Sequence, residues 1–109
     1  MEEVKAQVAQ LVEAIKNSEP YKRNSEVSME VRKSPKLWQE LTEYRRNIFE
    51  MQMELEGDAL FDTYDHYEKD NEQFRRDPLV NNYLNAELDL CRMIQKIDAI
   101  ILDAIDIEL

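Results

Sequence analysis

Residues 77–109 read DPLVNNYLNAELDLCRMIQKIDAIILDAIDIEL and decide the fold class. After Pro78 this stretch has no glycine and no proline, and more than half of its residues are apolar. Asp77 is a favourable N-cap, and Pro78 suits the first helical position because the N–H that it lacks has no helical partner there. The sequence therefore predicts one continuous terminal helix, roughly 45 Å long at 1.5 Å per residue.

The predicted terminal helix is longer than the protein that has to cover it. A compact domain of this size has a diameter of roughly 35 Å. Apolar side chains continue over the whole helix, so a second surface is needed to shield them. We expect the following positions to form an interface with a second copy of the chain: Leu84, Glu87, Leu88, Cys91, Ile94, Ile97 and Ile101.

The rest of the chain also predicts helices. Helical periodicity and helix-start signals indicate four further segments, at about residues 2–17, 19–33, 34–56 and 58–76. Ser34 followed by Pro35 is the same cap and proline pattern that starts the terminal helix. Gly57 is expected to end the third helix as its left-handed C′ residue, and Asp58 to cap the fourth.

The third predicted helix has a heptad seam. Its apolar positions alternate between spacings of four and three residues, as in helices that pack side by side: Leu37, Leu41, Tyr44, Ile48, Met51 and Leu55. We assign Leu41, Tyr44 and Ile48 to the predicted interface as well. The prediction is thus an all-α fold of long antiparallel helices, in a bundle that is completed by dimerisation.

Composition favours a single helical domain over residues 1–109. One glycine and three prolines provide few turns for a sheet of short strands. Cys91 is the only cysteine, which excludes an internal disulfide and fits a reducing compartment. The acidic, amphipathic N-terminus is not typical of a secretory signal, and the longest apolar run, residues 99–102, is too short to span a bilayer. We expect a cytoplasmic protein without a membrane partner.

The net charge of −10 argues against direct binding of nucleic acid. Phosphate contacts need clustered Lys and Arg, whereas the basic pairs of this chain are short and scattered. An acidic surface favours a basic protein partner, including one that itself associates with nucleic acid.

His66 is the one residue that could suggest a metal-dependent enzyme. With Asp62 it forms an i, i+4 pair on one predicted helix, and Asp65 and Glu68 lie nearby in sequence. A metal site needs further ligands at defined spacing, and a di-iron bundle needs Glu-x-x-His motifs, but Thr63 stands where that glutamate should be. We therefore interpret His66 as a helix-surface residue, and a small metal-dependent enzyme stays an alternative.

Two residues of the terminal helix have competing interpretations. Cys91 lies on the stripe that also contains Leu84, Leu88 and Ile94, so a buried small hydrophobe is favoured over a nucleophile, which would need a base beside it. Glu87 falls between apolar positions of the seam. It either sets the register of an interface by a polar contact or flanks the seam and reaches water.

Three segments resemble the YlbF/YmcA family of small helical bacterial regulators. Residues 78–101, PLVNNYLNAELDLCRMIQKIDAII, match the family's proline, apolar pair, aromatic residue, Ala-Glu and Ile-rich helix. Residues 15–23, IKNSEPYKR, resemble the exit from its first helix, and residues 34–52, SPKLWQELTEYRRNIFEMQ, resemble its second proline-started helix.

The resemblance implies a non-enzymatic, dimer-forming, all-helical protein. Members of this family assemble with one another and with a third protein, and act on RNase Y-dependent RNA processing in competence, sporulation and biofilm formation. The expected partners are thus a second copy, paralogous family members or RNA-decay proteins. Some members have C-terminal cysteines linked to iron–sulfur cofactors, but Cys91 alone cannot hold a cluster, so no cofactor is expected here. A structural homodimer from an unrelated pathway is the alternative.

Overall fold

The computed structural model describes residues 1–106. All regular elements in this part of the chain are helices, which confirms the predicted all-α class. They are α1 (Glu2–Lys16), α2 (Glu19–Arg32), α3 (Pro35–Glu54), α4 (Gly57–Asp70), α5 (Glu72–Arg76) and α6 (Pro78–Ala104).

The two proline-started helices begin where the sequence predicts. Asp77 Oδ1 accepts hydrogen bonds from the backbone N–H of Leu79 at 2.9 Å and of Val80 at 3.3 Å. Ser34 Oγ accepts from the N–H of Leu37 at 3.3 Å. These caps satisfy N–H groups that have no partner inside a helix, so the starts of α3 and α6 are set by local sequence.

The end of α6 differs from the prediction. The helix stops at Ala104, whereas the sequence predicted a helix to residue 109, and residues 107–109 lie outside the described part of the chain. Asp106 adopts a left-handed conformation with φ +60° and closes the last turn. The carboxylates of Asp103 and Asp106 lie at the negative end of the helix dipole, which disfavours further helix.

Two other boundaries also need correction. Gly57 has the expected positive φ of +57°, but it is the first residue of α4, and two extended residues separate it from the end of α3. The predicted helix at 58–76 is divided at Asn71 into α4 and α5. The Asn71 side-chain amide donates to the backbone oxygen of Tyr67 at 2.9 Å. Such local bonds compete with helical backbone bonds, which explains the break.

The chain forms two compact units. Residues 1–27 and the chain from Tyr83 onward form unit 1, and residues 28–82 form unit 2. Unit 1 contains α1, most of α2 and most of α6. Unit 2 contains α3, α4, α5 and the adjoining ends of α2 and α6.

Unit 2 has its core on the seam of α3. All six seam positions are at least half-buried, and Leu41 and Tyr44 are buried, which confirms the predicted spacing. The Tyr44 ring stacks on that of Tyr67, with centroids 5.4 Å apart, and lies 5.6 Å from the ring of Phe74. These aromatic contacts connect α3 to α4 and α5.

Unit 1 has a slightly smaller core, with three buried apolar side chains against four in unit 2. Its buried apolar side chains are Val27, Tyr83 and Ala86, and α1 has no buried residue. Arg23 of α2 and Asp89 of α6 form an ion pair with an N–O distance of 2.8 Å. Both side chains are roughly half exposed, so the pair contributes little to stability.

The α3 core yields a matched test of stability. Leu41→Ala should lower the free energy of unfolding by about 2–5 kcal/mol, because it leaves a cavity at a fully buried position. Phe49→Ala, on the same helix but largely exposed, should change it by less than about 0.5 kcal/mol. Urea titration monitored by circular dichroism measures both, and equal effects would contradict the assigned core.

Candidate interaction surface

Helix α6 has a covered side and an uncovered side within unit 1. The covered positions centre on Tyr83, Ala86, Leu90, Met93 and Ile97, at spacings of three and four, and Leu84, Glu87 and Leu102 beside them are also half-buried. Beside them lies a second set of exposed positions that we call the α6 stripe: Leu88, Cys91, Ile94 and Ile101 of the helix, and Ile105 directly after its end. The helix therefore has more apolar positions than unit 1 covers.

Helix α1 shows the same excess. Val4, Val8 and Val12 recur every four residues and form what we call the α1 stripe. The three valines and the four aliphatic side chains of the α6 stripe are between 40% and 57% exposed. Full burial of such a side chain stabilises a protein by about 1.5–3 kcal/mol. Because about half of each of these seven side chains is exposed, the single chain lacks on the order of 7 kcal/mol of the free energy that their full burial would supply.

The predicted interface residues of α6 do not share one environment. Leu88, Cys91, Ile94 and Ile101 are exposed, and Leu84 and Ile97 are half-buried. The expectation that Cys91 is buried is wrong for the single chain, because the covered side of α6 is centred on the neighbouring apolar positions. Contact of these residues with a second chain stays a prediction.

Glu87 has a partner within its own helix. Its Oε2 accepts a hydrogen bond from the Tyr83 hydroxyl at 3.1 Å, and the side chain is half-buried. Tyr83 is itself buried, so this bond satisfies its hydroxyl. An additional contact of Glu87 across an interface stays a prediction.

The interface positions predicted on α3 lie in unit 2. Leu41 and Tyr44 are buried within the single chain, and Ile48 is half-buried. Leu41 and Tyr44 are thus core residues of the single chain, and the Tyr44 ring contacts α4 and α5. Contact of α3 with a second copy stays a prediction.

Unit 2 also contains a groove of about 390 Å³, which we call the aromatic groove. It is lined by Glu40, Glu43, Tyr44 and Asn47 of α3, by Tyr67 of α4, and by Asn71 and Phe74. The Asn47 side-chain amide donates to the Tyr67 hydroxyl oxygen at 3.0 Å. The groove therefore combines aromatic walls with carboxylate and amide groups.

An ion pair between Arg75 and Glu68 lies close to the aromatic rings of unit 2. Arg75 Nη1 lies 3.2 Å from Glu68 Oε2, and both side chains are partly buried. A hydrogen bond to Glu68, together with burial, raises the pKa of Tyr64 to about 12. Burial also raises the pKa of Tyr44, although the positive charge of Arg75 opposes that shift. Both phenols are therefore neutral hydrogen-bonding groups near pH 7.

The structure gives no support to the metal alternative. His66 is exposed, and the residues from 1 to 106 contain no group of three or more His, Cys, Asp or Glu side chains placed to hold a metal ion.

A transmembrane helix would need a longer apolar stretch than any described helix provides.

Sequence reasoning missed the groove. Periodicity places Tyr67 and Phe74 only within the predicted fourth helix, and nothing in the sequence singles out Asn47 or Asn71. The signal that could have found them is the aromatic composition of residues 61–74 opposite a seam that contains Tyr44. The pairing of these segments was needed before the groove could be predicted.

Uncovered apolar stripes on an all-helical chain are typical of surfaces that contact other chains. The model of the family described as "Control of competence regulator ComK, YlbF/YmcA" matches residues 4–106. The chain belongs to this family, which confirms the resemblance. Neither the curated proteins nor the solved structures contain a match.

Cys91 provides a direct probe of the α6 stripe. In dilute solution its thiol should react with a maleimide at nearly the rate measured in urea, because it is exposed in the single chain. The rate should fall as the protein concentration increases and the stripe becomes covered. Slow labelling at every dilution would instead show that the single chain closes around Cys91.

Proposed function

We propose that this protein is a non-enzymatic helical regulator that acts through protein–protein contacts as a homodimer. The observation that supports the proposal is the α6 stripe, whose exposed aliphatic side chains continue along the longest helix of the chain. Large exposed apolar patches on small proteins typically mark interaction sites. In this proposal the helices of two copies lie antiparallel and complete one bundle.

The free energy that burial of the uncovered stripes would supply is of the same order as the cost of association. A symmetric dimer that buries the α1 and α6 stripes of both copies gains on the order of 14 kcal/mol. The entropic cost of association is about 4–15 kcal/mol. The α6 stripe alone would give only slightly more than half of that gain, so the proposal includes both stripes.

The proposed process follows from the family. Its description concerns control of the competence regulator ComK, and membership supports a regulatory role. We propose that the dimer binds paralogous family members or proteins of RNA decay in the cytoplasm, and that RNase Y-dependent processing links it to competence, sporulation or biofilm control. The net charge of −10 favours a basic protein partner.

The dimer is tested by placing charge on the α6 stripe. Ile94→Glu combined with Ile101→Glu should weaken self-association by at least about a hundredfold, because two carboxylates would be buried without partners. Sedimentation equilibrium measures the association, and circular dichroism reports the accompanying loss of helix. Association that is unchanged in the double variant would contradict the proposal.

Ile100→Glu is the matched control. Ile100 is more exposed than either stripe residue and lies on the other side of the covered positions, about 100° around the helix from Ile101. It introduces one carboxylate into the same helix, half the charge of the double variant, and self-association should stay within about threefold of the unmodified chain. Equal weakening by Ile100→Glu would show a general effect of charge on α6.

The regulatory role is tested in the native host. Affinity purification of the tagged chain should recover a family member or an RNA-decay protein, and deletion of its gene should alter competence and the positions of transcript ends. The stripe variants provide the comparison, since loss of the dimer should also lose these effects. Recovery of the chain alone, with unchanged transcript ends, would favour a structural homodimer from another pathway.

A further inference from the structure

The aromatic groove of unit 2 has the composition of a site for a cation. Its lining includes the buried ring of Tyr44 and the half-buried rings of Tyr67 and Phe74, and two carboxylates, Glu40 and Glu43, stand one helical turn apart on α3. A cation gains from the negative face of an aromatic ring and from carboxylates, whereas an anion would be repelled by the same groups.

Both carboxylates keep capacity for an incoming donor. The Glu40 ion pair to Lys36 has an N–O distance of 4.0 Å, and the Lys36 side chain is almost fully exposed. Glu43 accepts a long hydrogen bond from Gln39, at 3.4 Å. An ionised carboxylate has four acceptor positions, so these weak contacts leave most of them open.

The two asparagines of the groove also present acceptors. The NH₂ group of Asn47 donates to the Tyr67 hydroxyl, and the NH₂ group of Asn71 donates to the backbone oxygen of Tyr67. These bonds orient each amide so that its Oδ1 atom serves as an acceptor. The groove is therefore rich in acceptors and calls for a ligand with several donors.

We propose that the aromatic groove binds the guanidinium group of an arginine side chain from a basic segment of a partner protein. Guanidinium is planar, carries five donors, stacks on aromatic rings and forms paired hydrogen bonds with carboxylates. A volume of about 390 Å³ is small for a cofactor but suits one long side chain and its flanking backbone. This inference rests on the proposed function, since it assigns the site at which a protein partner is held.

The net charge of −10 identifies a protein as the source of the arginine. An acidic surface attracts a basic segment and repels the phosphates of nucleic acids and anionic lipids. The groove then fixes which residue of that segment is recognised. The attraction of a basic segment by the acidic surface can be separated from the binding of one arginine in the groove. A charge change outside the groove alters only the attraction by the surface.

The test uses acetyl-Gly-Arg-Gly-amide as the probe and two-dimensional NMR of the isotope-labelled chain. The probe should give saturable shifts of the side-chain amide signals of Asn47 and Asn71. Glu43→Gln should weaken binding about tenfold, because it removes one charge-assisted contact without changing the shape of the groove. Glu50→Gln is the matched control on the same helix, makes the same change in net charge outside the groove, and should leave affinity unchanged.

Two further peptides define the specificity. The citrulline analogue has nearly the same shape without the charge and should produce no saturable shift, and the lysine analogue should bind more weakly. Equal binding of the citrulline or lysine peptide, equal effects of the two glutamate variants, or shifts confined to other residues would each overturn the proposal. Sedimentation of the same samples tests the proposed homodimer separately from the proposed arginine site. A chain that dimerises through α6 without binding the arginine peptide would refute the groove alone, whereas one that binds the peptide as a monomer would refute the proposed dimer.

Discussion

Unit 1 carries more large apolar side chains than it can bury, and this imbalance shapes most of what the molecule can do. Three buried side chains hold the unit together, whereas seven stripe side chains on α1 and α6 stay about half exposed. In water these side chains favour any partner that removes them from solvent. The proposed regulatory role depends on this excess, because a fully satisfied bundle would have no apolar face left for another chain.

Unit 2 satisfies its apolar residues differently. The seam of α3 packs on α4 and α5 at Tyr44, whose ring contacts those of Tyr67 and Phe74. Since these rings cannot fill all the space between three helices, they leave the groove that the carboxylates of α3 border. The same aromatic packing that stabilises the unit thus shapes the proposed recognition site. The two units offer two kinds of contact, one apolar and extended, the other polar and local.

Structural features that depend only on residues close together in the chain could be predicted from the sequence. The caps at Ser34 and Asp77 were predictable because a cap bonds to groups two or three residues away. The covered side of α6 was not, because its apolar residues lie at helical spacing on two adjacent sides and tertiary packing selects between them. The break at Asn71 was missed because an asparagine inside a helix ends it only in some contexts. The groove joins residues from three helices, and periodicity gives no information about such pairing.

Helix α1 has fifteen residues and no buried side chain, and an isolated helix of this length is marginal in water. Within the chain only Leu11 and Ile15 are half-buried, so cover of the α1 stripe in the proposed dimer would add to its order. Surplus subunits would fray there first and expose cleavable backbone to cellular proteases. Under that coupling the steady-state abundance of the protein follows the supply of its partners, and proteolysis trims any excess toward a fixed stoichiometry.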